Sequence, residues 1–168
     1  MSTSDSGTSG AALFDAVVRH YGDALYRFVR RMVGESAADD VMQDTFIKIY
    51  EALPRFEPSG SLRGYTFTIA RNAARDYWKH ESRRRAAPLE VDPAAPVRSE
   101  RDAQMRAVWE AVRELPDEQR EVFLLREEGD LSFAEIARIT GAPLNTVLGR
   151  MHYAMKSLRA KFYELPRS

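Results

Sequence analysis

The sequence predicts an all-α protein of two small helical domains joined by a flexible linker, the second containing a helix-turn-helix. Three observations predict it. Apolar residues recur with a helical period in several separate stretches, and no stretch alternates with the period of a strand. One segment, AAPLEVDPAAPVRSE, is rich in Pro and Ala and has no periodicity. It is longer than most connections inside a compact domain, so it divides the chain. The 168 residues suffice for two small domains, each with a modest core. The expected division is a disordered tail at 1–12, a domain at 13–85, a linker at 86–99 and a domain at 100–168.

Each element has a local reason. The opening MSTSDSGTSGA is small and polar and reads as a flexible tail. Phe14, Val17, Val18, Tyr21, Leu25, Phe28, Val29 and Met32 then recur at helical spacing, and that helix stops near Gly34. Ser36 is the expected N-cap of a second helix running to about Leu53, before Pro54. Pro58, Ser59, Gly60 and Ser61 mark a loop, followed by a long helix over residues 62–84. Helices resume near Arg101.

The most specific signal lies near the C-terminus. Ser132 followed by Glu135 is a capping box that starts a short helix through Ile139. Gly141 is open to left-handed backbone angles, and Pro143 forbids simple continuation. A second helix starts near Asn145, with Val147, Met151, Ala154 and Leu158 as its core stripe. Asn145, Gly149, His152 and Lys156 lie on the opposite face. Such a unit places its second helix in the major groove of duplex DNA. The plainer alternative is a helical hairpin in a larger bundle.

Formal net charge is zero, but its distribution is uneven. Residues 63–85 carry Arg63, Arg71, Arg75, Lys79, Arg83, Arg84 and Arg85 against Asp76 and Glu81. Residues 138–168 carry Arg138, Arg150, Lys156, Arg159, Lys161 and Arg167 against Glu164. Two basic blocks, one on the helix-turn-helix, suggest a nucleic-acid footprint. The absence of cysteine excludes disulfides, thiolate catalysis and Cys-based zinc sites. His20, His80 and His152 have no metal-ligand spacing, and no cofactor is expected. No apolar run approaches a membrane span, and the N-terminus has no signal-peptide pattern, so a cytoplasmic protein is the simplest expectation.

Two further helices carry patterned faces. Met42, Phe46, Ile49 and Leu53 form one stripe, with Asp40, Gln43, Asp44, Ile47 and Glu51 opposite. An acidic cluster around one apolar residue suits a basic partner helix, although most such faces are simply solvated. On the long helix, Ala70, Ala73 and Tyr77 make a narrow core stripe. Asn72, Arg75, Lys79 and Arg83 share another face, with Arg71 at its edge. Arg and Lys neutralise phosphates, and Asn pairs with base edges. Tyr65, Phe67, Tyr77 and Trp78 supply flat surfaces on which unstacked bases could stack, yet Phe67 and Tyr77 are expected in the core.

Taken together, Asp-Asp-Val-Met-Gln-Asp-Thr-Phe (39–46), Phe-Thr-Ile-Ala-Arg-Asn-Ala-Ala-Arg-Asp-Tyr (67–77), Leu-Pro-Asp-Glu-Gln-Arg-Glu-Val-Phe (115–123) and the helix-turn-helix resemble a bacterial RNA polymerase sigma factor. The short two-domain form is similar to the extracytoplasmic-function (ECF) group of the sigma-70 family. The resemblance spans residues 13–163. It implies promoter-directed transcription initiation, with chemistry left to the polymerase. The first domain would be region 2, with Asp40, Gln43, Asp44 and Ile47 on the coiled coil of the beta-prime subunit. The loop over residues 56–62 and the helix bearing Arg71, Asn72, Arg75, Trp78, Lys79 and Arg83 would capture the single-stranded −10 element. The second domain, region 4, would read the −35 duplex through Asn145, Thr146, Leu148, Gly149, Arg150, His152, Tyr153 and Lys156. Arg150, Lys156 and Arg159 are its expected phosphate anchors. The linker would thread through the polymerase core, formed by its beta and beta-prime subunits. An anti-sigma partner is also implied.

One departure stands out. Family members commonly carry a basic residue and a serine where this chain has Leu148 and Gly149, and often an arginine at Tyr153. Leu148 could contact a thymine methyl and Gly149 could allow close backbone approach; alternatively, the duplex is read partly by its shape. The competing function is a stand-alone dimeric helix-turn-helix regulator, which leaves the acidic helix and the Asn72 face unused. An adaptor that sequesters a partner fits the basic blocks poorly. An enzyme fits worst: Asp39, Asp40 and Asp44 have no His or Gly-rich phosphate loop nearby. No further C-terminal domain is expected after Ser168.

Overall fold

Leu25, Phe28 and Val29 are fully buried, and they fix the inner face of the first helix, α1 (Asp5–Val33). The computed structural model describes residues 5–84 and 96–164. It contains seven α-helices, one 3-10 turn and no strand among those residues. The chain splits into two compact units, Met1–Glu90 and Val91–Ser168. The division expected within residues 86–99 falls mostly outside the described residues.

In the first unit α1 packs on α2 (Glu35–Ala52) and α3 (Leu62–Arg84), and α2 packs on α3. Ile49 and Phe67 are fully buried with Phe28, and the Phe28 and Phe67 rings meet edge-on at 5.6 Å. Each such side chain contributes about 1.5–3 kcal/mol of burial free energy. Ala70, Ala73 and Ala74 are buried on α3, as a narrow stripe of small residues requires for close helix approach. Leu53–Arg55 form the 3-10 turn that ends α2.

Two local expectations are corrected. The tail expected over residues 1–12 is helical from Asp5. No proline interrupts this segment, and extending a helix already nucleated by the buried stripe costs little per residue. The N-cap of α2 is Gly34 and not Ser36. Gly34 has φ 90°, in the region favourable only to glycine, and lets the chain turn from α1 into α2 within one residue. Glu35 then begins α2, and its carboxylate accepts a 2.7 Å hydrogen bond from Arg30 near the end of α1.

In the second unit α4 (Glu100–Arg113) starts at the N-cap Ser99, whose hydroxyl accepts from the Asp102 amide. Leu115 and Pro116 turn the chain into α5 (Asp117–Glu127). Arg120 ties that corner: its guanidinium donates to the Arg113 carbonyl at 2.9 Å and to Asp117 at 2.8 Å. α5 and α6 (Phe133–Thr140) both pack on α7 (Leu144–Glu164). Val122, Leu124, Leu125, Leu131, Ile136, Val147 and Ala154 are fully buried among them. Both bonds of the Ser132–Glu135 capping box are made, and Gly141 closes α6 in the left-handed region at φ 69°.

Candidate functional site

Met42 and Ile49 of α2, with Leu53 of the following 3-10 turn, form the buried stripe, which turns Asp40, Gln43, Asp44, Ile47 and Glu51 outward. Ile47 is 52% exposed, a branched apolar side chain with no core to serve. Asp44 is already neutralised in part: Lys48 lies 2.7 Å from it and 3.8 Å from Asp76 of α3. Beside this face runs an apolar groove of about 610 Å³, bounded by Phe14 and Tyr26 of α1 and by Met42, Gln43, Phe46, Ile47 and Tyr50 of α2. Phe14 meets Phe46 and Tyr50 edge-on at 6.0 and 5.4 Å. Tyr26 donates a 2.9 Å hydrogen bond to Asp39, and that bond, with some desolvation, raises its phenol above the ordinary value.

Sequence reasoning missed the groove. It placed Phe14 and Phe46 on apolar stripes at helical spacing and passed over Tyr50. The signal was the i, i+3 spacing of Ile47 and Tyr50, which places both on one side of the helix.

On α3 the exposed face is as expected for Asn72, Arg75, Lys79 and Arg83. Arg71 is half-buried and its guanidinium reaches the Asn72 side-chain oxygen at 3.4 Å. The four aromatics differ from a stacking row. Phe67 is fully buried, and Tyr65, Tyr77 and Trp78 are half-buried. The Trp78 indole N–H donates to the Met32 carbonyl at 2.8 Å, so one edge of that ring serves the fold. The preceding loop is shaped by its own contacts. Phe56 packs against Tyr65 at 5.2 Å, the Tyr65 hydroxyl donates to the Ala52 carbonyl, and the Gly60 amide donates to the Glu57 carbonyl. Glu57, Pro58, Ser59, Gly60 and Ser61 remain exposed beside it.

On α7 the buried Val147, Ala154 and Leu158 fix the helix azimuth and aim Asn145, Thr146, Leu148, His152, Tyr153 and Lys156 outward. Gly149 is half-buried, and a Cβ built there would meet nothing within 4 Å. The Tyr153 and His152 rings meet edge-on at 5.5 Å. Arg150 departs from expectation. Its guanidinium lies 2.9 Å from Glu118 of α5, and its side chain is only 22% exposed. The expected phosphate anchor is drawn back toward its own unit, because a carboxylate stands on the adjacent helix. Lys156 and Arg159 stay exposed.

No group of three or more His, Asp or Glu among the described residues could hold a metal ion. No helix among them is long and apolar enough to cross a membrane.

Comparison with known proteins agrees with this layout. Residues 17–84 match the family model for Sigma-70 region 2, and residues 105–158 match that for Sigma-70, region 4. The ECF RNA polymerase sigma factor SigC of Mycobacterium tuberculosis is 30% identical over 156 residues, covering 90% of this chain and 84% of its own. The RNA polymerase sigma factor CarQ of Myxococcus xanthus is 29% identical over 157 residues, covering 90% of each chain. Among solved structures, CnrH in complex with the cytosolic domain of CnrY has a TM-score of 0.72 at 25% identity, covering 96% of this chain and 95% of that one. The sigma factor RpoE of Bartonella quintana, crystallised with the anti-sigma factor NepR, has a TM-score of 0.75 at 22% identity, covering 92% and 98%; at that identity the likeness is one of fold.

Proposed function

The chain belongs to the sigma-70 family of RNA polymerase sigma factors, in its ECF group, and from that premise we propose how its faces divide the work. As a member, it binds core RNA polymerase and directs promoter recognition and initiation; it is not itself an enzyme. The observation that carries the division is the outward Ile47 among Asp40, Gln43 and Asp44, next to an apolar groove, on a different helix from the basic faces.

Residues 13–85 would bind the polymerase and the −10 element. Ile47 would be buried against the beta-prime subunit, with Asp40, Gln43 and Asp44 facing its basic groups. Arg75, Lys79 and Arg83 would neutralise the backbone of the opened strand while Asn72 and the loop over residues 56–62 hold bases. Arg71 and Trp78 would flank that face. Unstacking a base costs a few kcal/mol, which these contacts offset. Residues 100–168 would read the −35 duplex through α7, and residues 86–99 would connect the two along the polymerase. The chain acts with the polymerase, so its place of action is the cytoplasm. An anti-sigma partner would compete for the groove beside Ile47; the Bartonella RpoE was crystallised with the anti-sigma factor NepR, and CnrH was solved with the cytosolic domain of CnrY.

The test is a titration of fluorescently labelled chain with purified core polymerase, followed by footprinting of the complex and of the chain alone. A saturable complex that protects promoter DNA, with no palindromic footprint from the chain alone, is the expected result. A palindromic footprint without polymerase would instead establish the stand-alone dimeric regulator.

A further inference from the structure

Direct readout in the major groove normally uses a charged or amide side chain that makes two hydrogen bonds to one base. The first two turns of α7 have little of that kind. Within residues 144–151 the only charged side chain is Arg150, and it is 2.9 Å from Glu118 with 22% exposure. Asn145 and Thr146 lie at the very start of the helix. Lys156 is about 12 Å along the axis from Leu148, a span comparable to the width of the groove. Lys156 and Arg159 therefore suit the phosphate wall, not the base edges.

Between Thr146 and His152 the exposed side chain is Leu148, and it is apolar. Leu148 is 41% exposed and lines a cleft of about 360 Å³ with Phe133, Met151 and His152. Next to it the backbone at Gly149 is bare, with nothing within 4 Å of a built Cβ. An exposed branched side chain beside an open backbone forms a notch. Lys156 and Arg159, which line the same cleft, give its surroundings the charge that DNA requires. The apolar feature of the major groove is the 5-methyl group of thymine.

We propose that Leu148, with the close approach that Gly149 permits, reads the 5-methyl group of a thymine in the −35 duplex and is the specificity-determining contact of α7. This rests on the duplex-reading role proposed for the second unit. It predicts that specificity at this position comes from shape and methyl burial, and is insensitive to loss of hydrogen bonding at Asn145.

The experiment uses core polymerase reconstituted with the full chain and promoters selected from a randomised library. Each −35 thymine is replaced in turn by deoxyuridine, which removes the methyl and leaves the hydrogen-bonding groups. One replacement should weaken binding about fourfold, the size of one buried methyl. The L148A holoenzyme should bind both duplexes equally, and L148R should move the preference at that position toward guanine. G149A should raise the Tm of the chain yet weaken duplex binding, a split that a purely structural glycine would not show. The proposal is overturned if no thymine is selected, if no replacement weakens binding, if L148A keeps the full methyl penalty, or if G149A binds as tightly as the parent. Loss of all chain-dependent duplex protection would be a different failure: it would overturn the −35 reading itself.

Discussion

Arg150 of α7 and Glu118 of α5 form an ion pair at 2.9 Å, with the arginine side chain 22% exposed and the glutamate 67% exposed. The pair links α7, the helix proposed to read DNA, to α5. In the proposed reading Arg150 would be a positioning residue, and phosphate neutralisation would fall to Lys156 and Arg159.

This assignment separates two variants. K156Q should weaken binding similarly on all promoter sequences and reduce the salt-dependence slope by about one. R150Q should leave the slope unchanged. Salt titrations of holoenzyme binding distinguish them, and a reduced slope in R150Q would return that residue to the DNA backbone.

The same pair predicts a small energetic coupling. Because Glu118 is largely exposed, solvent screening limits it to about 0.2–1 kcal/mol. A double-mutant cycle of E118Q and R150Q by denaturant unfolding should return a value in that range. A coupling near zero would show that the pair does not hold α7.

Ile47 supports a prediction about the polymerase. I47E should not lower the Tm, since the side chain is 52% exposed and packs in no core. It should weaken core-polymerase binding at least tenfold, from lost apolar burial of about 1.5–3 kcal/mol. Equal affinity of I47E and parent chain in the fluorescence titration would remove Ile47 from the interface.

Trp78 tests how far one ring serves two purposes. W78F removes the indole donor to the Met32 carbonyl and should cost about 0.5–1.5 kcal/mol of stability. It keeps an aromatic face, so affinity for a single-stranded −10 oligonucleotide presented to the holoenzyme should hardly change. A large loss of strand affinity with unchanged stability would reverse the assignment.

S132A should cost about 1 kcal/mol in the second unit by removing the hydroxyl that accepts from the Glu135 amide. Protease resistance of residues 100–164 should fall while that of residues 13–84 holds. Parallel loss in both would contradict independent units.

These residues also show what was legible in the sequence. The capping box at Ser132 and the span of α3 were readable because their causes are local: a side chain bonding three residues on, and a Pro-Ser-Gly-Ser loop before a periodic run. The outward face of α2 followed from its period alone. The partners of Arg150 and Trp78 were not readable. Trp78 bonds a carbonyl 46 residues away, and Arg150 finds a carboxylate on another helix. No local pattern encodes such meetings. Gly34 is legible as the stop of α1, but its role as the N-cap of α2 is not, because Ser36 is the better cap by residue type whereas the backbone turn demands a positive φ. The groove beside Ile47 needed α1 and α2 to be placed together before Phe14 and Tyr26 could be seen as its wall.

The most direct measurement is run-off transcription by purified core polymerase on a randomised promoter library, with and without this chain. Initiation that depends on the chain, from templates sharing one −10 and one −35 element at fixed spacing, is the predicted result. Initiation that is the same with and without it, or that shares no upstream element, would contradict the division of recognition between the two units.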